Sequence, residues 1–344
     1  MPHNALIEQL PHRRMEAWKW TDVRGSISDT KSGLTNACVP EFSLPAGLNV
    51  SREQTPATDT PMGTLAANFS GDVYTITVPL GFSSSEKLVI SGLKNGHARI
   101  VIRIDERAEL QVEEVHESTV ATFVNLDIRF ELAKGAKLTR TVLHTDHADT
   151  TRIATTQINA WANAEINQYT LSFGAGLSRF ETRVANLGTD LTANIHGAYL
   201  LNGKRHCDMT SYIDLGAENA NIRQNVKGVV TDKARGVFQG KFHVRRPAQL
   251  TDAEMRHDAI MLSDTCEIRS KPELEIYADD VACAHGNTVG ALDESALFYM
   301  RQRGIPTKQA RALLTQAFVA QSFDGMVDNT DFMTRITEWL EHNS

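Results

Sequence analysis

The chain has 344 residues, of which 41% are apolar and 22% charged, and its formal net charge is −7 at pH 7. This length allows one large domain or two to three modest ones, and the acidic balance argues against nucleic-acid and anionic-lipid partners. We recognise no signal-peptide pattern and no run of roughly 20 apolar residues, so we expect a cytoplasmic protein without membrane association.

The first part of the chain, residues 1–72, is predicted to be helical and then loosely ordered. Residues 4–23 have helical stretches that are interrupted at Pro11, and they include the sequence RRMEAWKWT. From Ser26 to about Asp72 the composition turns to Ser, Thr, Pro and Gly, which is typical of a linker.

A repeat with a step of about 28 residues predicts a β-solenoid over residues 73–290. Between its recurring points the sequence consists of short alternating runs such as NLDIRFEL, which have strand periodicity. The turns of a solenoid stack about 4.8 Å apart, and matching apolar positions form inward ladders. A β-sandwich is the alternative, because it also has regularly spaced strands. The predicted ladder positions are Leu110, Leu138, Ile166, Leu191, Ile222, Leu250 and Val281.

Two stretches resemble ligand sites but are interpreted as structural. GVFQGKF has three residues between its glycines where a phosphate loop has four, so we predict that Gly236 and Gly240 form tight bends between rungs. His144, Asp146 and His147 in LHTDHADT are metal-ligand types, but the stretch fits a polar turn of the repeat better.

The strongest chemical candidate is the pair Cys283 and His285 in ADDVACAHGNTVG. On an extended segment this spacing puts both side chains on one face, with Cα atoms about 7 Å apart. A thiolate and an imidazole are suitable iron ligands, but two ligands do not hold a cluster. If the rung is a sheet edge, a second subunit can pair with it and supply the rest. The other cysteines, Cys38, Cys207 and Cys266, are widely spaced and predict neither a disulfide nor a zinc site.

Residues 291–344 are predicted to form a C-terminal helical domain. Asp293 can cap a first helix, Pro306 and Thr307 open a second, and residues 329–331 begin a third. Because a solenoid end exposes unpaired backbone and apolar rungs, we expect these helices to cap it.

The stretch from Ala234 to Ile305 resembles the C-terminal core signature of the SufB/SufD family. The matching segments are RGVFQGK, AQLTDA, KPELEIYADDVACAHGNTVG and LFYMRQRGI. RRMEAWKWT is similar to the N-terminal signature of SufD-like chains, which favours that branch. The resemblance implies a right-handed parallel β-helix with an N-terminal helical segment and a C-terminal helical cap.

The resemblance also implies a function, that of a non-enzymatic scaffold subunit in Suf iron–sulfur cluster assembly. The chain would pair with a SufB-like subunit through the C-terminal β-helix edge, or form a homodimer when isolated. Cys283 and His285 would be metal ligands at that interface for a nascent, transient cluster shared with SufB, with no cofactor tightly bound in isolation. A SufC-like ATPase would bind Leu297, Phe298, Tyr299, Arg301, Arg303 and Ile305.

The alternative function is that of a β-helix carbohydrate-active enzyme. Asp279 and Asp280 are adjacent carboxylates, and glycoside hydrolysis needs two well-placed carboxyl groups. The sequence has no aromatic sugar platform beside them.

Overall fold

The computed structural model describes residues 6–27 and 33–343, so the start of the predicted N-terminal helical stretch and residues 28–32 of the predicted linker lie outside it. The helices are α1 (Val23–Ser26), α2 (Pro61–Phe69), α3 (Glu294–Gln302), α4 (Thr307–Ala320) and α5 (Thr330–Asn343), with a 3-10 turn at Glu16–Trp18. The strands are β1 (Glu41–Ser43), β2 (Val50–Glu53), β3 (Val73–Val78), β4 (Leu88–Ser91), β5 (Gly96–Ile104), β6 (Glu109–His116), β7 (Phe123–Leu132), β8 (Lys137–His144), β9 (Thr151–Ala160), β10 (Glu165–Ser172), β11 (Leu177–Asn186), β12 (Thr192–Leu201), β13 (His206–Leu215), β14 (Asn221–Val230), β15 (Arg235–Val244), β16 (Asp252–Met261), β17 (Glu267–Ile276) and β18 (Ala282–Gly290).

The strands form two sheets of nine strands each. One sheet has the order β1-β4-β6-β8-β10-β12-β14-β16-β18, and the other has β17-β15-β13-β11-β9-β7-β5-β3-β2. We call the first the even-numbered sheet and the second the odd-numbered sheet, after their strands from β3 onward. From β5 onward each strand pairs in parallel with the strand two before it, so the chain alternates between the sheets and adds one rung per two strands. The predicted parallel β-solenoid is confirmed. The alternative of a β-sandwich is excluded, because the sheets of a sandwich are antiparallel.

Most rungs enter the even-numbered sheet through a corner that has one residue with left-handed backbone, although the corner before β18 has none. In six corners this residue has φ between +56° and +69°. The third residue after it enters the even-numbered sheet and faces the interior, so the corner fixes the register of the ladder. The left-handed residues are Arg107, Gly135, Asn163, Asp190, Asn219 and Leu250. The ladder residues, matched across the sheet, are Leu110, Leu138, Ile166, Ala193, Ile222, Ala253 and Cys283.

Three of the predicted ladder positions are therefore wrong. Leu191 is buried, but it lies two residues before the ladder residue of its rung. Leu250 is the left-handed corner residue and is 58% exposed. Val281 lies two residues before Cys283. In each case an aliphatic residue in or beside the corner has the sequence spacing expected of a ladder residue. Only the cross-strand register distinguishes this corner residue from the true ladder residue of its rung.

Gly236 and Gly240 also differ from the prediction, since both lie inside β15 and not in bends. A Cβ atom at Gly236 would be 2.4 Å from the ring of Tyr199, which is fully buried, and a Cβ at Gly240 would be 2.3 Å from the sulfur of Met255. These glycines make room for large interior side chains.

The N-terminal segment packs on the outer face of the odd-numbered sheet. Trp18 stacks on the guanidinium of Arg179 at 4.1 Å, and Arg179 donates a hydrogen bond of 2.9 Å to the carbonyl of Ala17. Lys271 pairs with Glu16 at 2.8 Å. RRMEAWKWT therefore attaches the segment to the solenoid. The predicted linker is more ordered than expected, because it contains β1, β2 and α2.

The C-terminal helices begin where the sequence predicts. Asp293 is the N-cap of α3, where its carboxylate accepts a hydrogen bond of 2.8 Å from the Ser295 N–H. However, α4 and α5 pack on the outer flank of the even-numbered sheet, where Phe323 and Ile336 meet Tyr169 and Leu200. The end of the solenoid is left uncovered by the described residues. None of the helices described here is long and apolar enough to cross a membrane.

Candidate functional site

Cys283 and His285 lie on the inner face of the last rung. In the pairing of β18 with β16, Cys283 is opposite Ala253 and His285 is opposite Met255, and both partners are buried in the solenoid interior. The common face predicted from the Cys-x-His spacing is thus an inner face. Because no further rung follows, Cys283 is partly exposed and His285 is exposed.

Cys283 differs from the other cysteines in its access to solvent. Cys38, Cys207 and Cys266 are buried, and burial raises the pKa of Cys207 to about 12, which makes that thiol unreactive. Burial also raises the pKa of Cys283, although a hydrogen bond with the backbone of Ala253 acts in the opposite direction. The thiol is therefore protonated at neutral pH, and metal binding must displace its proton.

The site has too few ligands to hold a metal by itself. Within residues 6–27 and 33–343, no group of three or more His, Cys, Asp or Glu side chains is arranged to hold a metal ion. Cluster iron usually has four ligands, counting the sulfides. Cys283 and His285 can therefore bind a metal or cluster only together with ligands supplied from outside this part of the chain.

A buried histidine beneath the site was not found from the sequence. Tyr199 donates a hydrogen bond of 2.8 Å from its hydroxyl to Nε2 of His257, and Nδ1 of His257 donates one of 2.8 Å to Oδ1 of Asn287. Phe238 stacks on the imidazole at 4.8 Å between ring centroids. Burial lowers the pKa of His257 to about 4, so the ring is neutral. The sequence signal that could have identified His257 is its position two residues after Met255, on the inward-facing side of β16.

The hydrogen bonds of His257 fix the strand that carries the site. Asn287 follows His285 by two residues on the inner face of β18. Its side-chain contact with His257 thus ties the last rung to the rung beneath it, and this tie orients β18.

Both strands of the last rung are sheet edges, and their free donors differ. The backbone N–H groups of Glu267 and Tyr277 donate to the carbonyls of Ala234 and Val244 on the preceding rung. The backbone groups of the even-numbered residues of β17 therefore point to the open edge. Pro272 is one of these, and it has no N–H at the centre of the strand. In β18 the backbone N–H of Ala282 donates to the carbonyl of Thr251 on the preceding rung. The backbone N–H groups of Cys283, His285, Asn287 and Val289 therefore point to the open edge. The more complete row of donors belongs to the strand with the candidate ligands.

The predicted docking residues do not all reach the surface. Leu297 is 4% exposed and holds α3 against the protein, so it is not available to a partner. Phe298 and Tyr299 are 61% and 60% exposed, and Arg303 donates a hydrogen bond of 3.0 Å to the Tyr299 hydroxyl. Arg301 is exposed and Ile305 is half-buried. The exposed aromatic pair is the main feature of this surface.

Asp279 and Asp280 lack the environment of catalytic carboxyls. Both are exposed in the turn between β17 and β18, where the backbone N–H of Asp280 donates to the side chain of Gln249 at 2.9 Å. A general acid needs an apolar environment that keeps it protonated, and an exposed turn does not supply one. The carbohydrate-enzyme alternative is not favoured.

The stretch LHTDHADT forms the predicted polar turn, which links β8 to β9, but two of its polar residues are buried. His144 and Asp146 are buried, and Nε2 of His144 lies 2.9 Å from the Asp146 carboxylate. Arg152, also buried, donates to the same carboxylate at 2.9 Å. Burial raises the pKa of Asp146, but Arg152 outweighs it and holds the pKa well below its usual range. These groups satisfy one another inside the solenoid, which leaves no metal site.

Comparison with known proteins places this geometry in a family. Residues 88–318, which include Cys283, His285 and α3, match the family model described as "SUF system FeS cluster assembly, SufBD core domain". The chain is 26% identical over 314 residues to the iron–sulfur cluster assembly protein SufD of Escherichia coli, with 88% of this chain and 70% of that protein covered.

Two further relatives carry the SufBD family description. Identity with a protein of Synechocystis is 30% over 236 residues, which cover 66% of this chain and 52% of that protein. Identity with a protein of Mycobacterium tuberculosis is 24% over 358 residues, which cover 97% of this chain and 89% of that protein. The chain thus spans about half the length of the Synechocystis relative.

The two histidines of this region should respond differently to truncation. His257→Ala removes a buried ring with two hydrogen bonds and should lower the free energy of unfolding by about 2–4 kcal/mol. His285→Ala removes an exposed ring and should change it by less than about 0.5 kcal/mol. Urea denaturation followed by circular dichroism measures both values. Equal losses would mean that His285 is a structural residue of the rung.

Proposed function

Because this chain belongs to the SUF-system family of iron–sulfur cluster assembly proteins with a SufBD core domain, we propose that it is a scaffold subunit on which a nascent cluster is built. The cluster is the cargo of this scaffold, and no residue carries out enzymatic turnover. The observation that carries the proposal is the open last rung, which presents Cys283 and His285 beside a row of free backbone donors.

The proposed partner at the open rung is a SufB-like subunit. An exposed edge strand is a template for another strand, and pairing would satisfy the free donors of β18. It would also bring the partner's side chains beside Cys283 and His285, which supplies the ligands that this chain lacks. A homodimer of the isolated chain would use the same edge. Pro272 on β17 favours pairing through β18 in either case.

The proposed partner at the helical domain is a SufC-like ATPase that contacts Phe298 and Tyr299. Helix α3 is held by one buried side chain, Leu297, and only residues 291–293 separate it from β18. A force on α3 is therefore transmitted directly to the strand with the candidate ligands. Nucleotide-driven movement of the ATPase would in this way open the interface and expose Cys283 and His285 to iron and sulfur.

Pairing through β18 predicts a specific effect of a lost donor. Val289→Pro removes one edge-facing N–H and should weaken association with a SufB-like subunit by about tenfold, since a net hydrogen bond and the ring's steric fit are both lost. Val289→Thr keeps the N–H and similar shape, and it should associate like the parent chain. Analytical ultracentrifugation compares the two. Unchanged association of Val289→Pro would place the interface elsewhere.

The ligand role predicts a spectroscopic effect in the assembled complex. After anaerobic reconstitution with iron and sulfide, His285→Ala should reduce the visible charge-transfer bands of the cluster. Cys283→Ser should alter them, because a hydroxyl is a harder and weaker ligand than a thiolate. Cys266→Ser is the matched control, since that thiol is buried and donates only to the carbonyl of Ser263. Parent-like spectra for all three variants would assign the cluster to the partner alone.

The docking role predicts a loss of ATPase binding. Phe298→Asp puts a charge in an exposed aromatic surface and should weaken the complex with a SufC-like ATPase by about tenfold or more. Leu313→Asp on α4 is the control, because Leu313 is also an exposed apolar residue at 41%. Co-purification and circular dichroism measure binding and folding. Docking at α3 is contradicted if Phe298→Asp binds as tightly as Leu313→Asp.

A further inference from the structure

Asn287 is a third polar residue on the inner face of the last rung. It follows Cys283 and His285 along β18 in steps of two residues, so its side chain shares their face. Asn287 is exposed, whereas His257, its partner on the rung beneath, is fully buried. Oδ1 of Asn287 lies 2.8 Å from Nδ1 of His257. The amide nitrogen Nδ2 has no hydrogen-bond partner among the residues that the structure describes.

The hydrogen bonds beneath the site decide which end of the Asn287 amide is free. The hydroxyl of Tyr199 lies 2.8 Å from Nε2 of His257, and this is its one hydrogen-bond contact within the described part of the chain. Tyr199 is fully buried, and buried polar hydrogens in native proteins are used in hydrogen bonds. The hydroxyl of Tyr199 therefore donates, and Nε2 of His257 accepts.

This donation fixes the tautomer of His257 and, through it, the orientation of Asn287. Burial lowers the pKa of His257 to about 4, so the ring is neutral and carries one N–H. Because Nε2 accepts, that N–H is on Nδ1, and it donates to Oδ1 of Asn287. The oxygen and nitrogen of an amide diverge from one carbon atom, so Nδ2 and its hydrogens do not face His257. They are free donors at the open rung.

The surroundings of this amide offer it no anion. The inward positions of β18 hold Cys283, His285, Asn287 and Val289, and the inward positions of β16 beneath them hold no acidic residue. Val289, the neighbour on the other side from His285, is apolar. A pair of neutral N–H donors beside a metal ligand suits an anionic atom that arrives together with the metal.

We propose that Asn287 donates a hydrogen bond from Nδ2–H to a sulfide of the cluster that is built at His285, and that Tyr199 and His257 hold its amide in the donating orientation. This inference rests on the proposed function and adds a residue to the same site. Hydrogen bonds to the sulfurs of a cluster raise its reduction potential, because they stabilise the more negative, reduced form. Asn287 thus contacts the cluster, whereas Tyr199 and His257 are positioning residues.

The first test needs no cluster. Nitrogen-15 NMR of the whole chain should show the His257 ring, assigned by its loss in His257→Gln, as the neutral tautomer with hydrogen on Nδ1. Tyr199→Phe should populate the other tautomer, and it keeps the ring for which Gly228 and Gly236 leave room. The proposal is overturned if the parent carries the hydrogen on Nε2, because Asn287 would then present its oxygen to the open rung. An unchanged tautomer in Tyr199→Phe contradicts the positioning role of Tyr199.

The second test is a redox titration of the reconstituted complex, followed by electron paramagnetic resonance. Asn287→Leu removes the donor without adding charge, and Asn287→Asp keeps the oxygen that accepts from His257 but replaces the donor with a carboxylate. Both should lower the reduction potential, and Asn287→Asp should lower the equilibrium constant for reduction at least tenfold, which is about 59 mV for a one-electron couple. Asn68→Asp makes the same charge change at an exposed position of α2, which packs on β5 and β7, and it should keep the parent's potential.

Comparison with His285→Ala separates this inference from the proposed function. If His285→Ala alters the cluster spectrum but Asn287→Leu and Asn287→Asp keep the parent's potential, the role of Asn287 alone is contradicted. If His285→Ala also gives a parent-like spectrum, the cluster is not built at this rung, and both proposals are wrong.

Discussion

Each rung of this solenoid satisfies its backbone hydrogen bonds on the next rung, so the last rung must leave a row of N–H and C=O groups unpaired. The fold depends on this constraint from one end to the other. At the first rungs β1 pairs with β4 and β2 pairs with β3, both antiparallel, and these pairs cover the first edge of each sheet. At the other end no described residue does so. The candidate ligands lie on the strand that remains open, and pairing there would complete both the backbone and the ligand set.

The interior is not uniformly apolar, and its polar groups are satisfied locally. Arg140 donates to Glu114 at 2.6 Å, and Arg152 pairs with Asp146, all within buried rungs. A buried pair of this kind costs desolvation energy but tolerates few alternative arrangements, so it fixes which rungs stack. His257 repeats this logic near the end, where its hydrogen bond to Asn287 orients the strand that carries His285.

The two flanks of the solenoid serve different purposes. Residues of the N-terminal segment bury Arg179 on the odd-numbered sheet. Helices α4 and α5 cover the outer face of the even-numbered sheet. Helix α3, which carries the aromatic pair, follows β18 after residues 291–293. Because the helices cover a flank and not the end, partner binding at α3 and strand pairing at β18 are compatible on one molecule.

The sequence by itself determined the features that depend on near neighbours. Strand alternation, the common face of Cys283 and His285, and the start of α3 at Asp293 all follow from interactions within a few residues. Only the tertiary structure decided which corner residue faces inward, why Gly236 must lack a side chain, and where the helices lie. These features depend on residues one rung away or on the other sheet, as Tyr199 is from Gly236. The burial of His144 and Asp146 belongs to the same class, since a local pattern of polar residues is the same whether it faces water or a buried arginine on another strand.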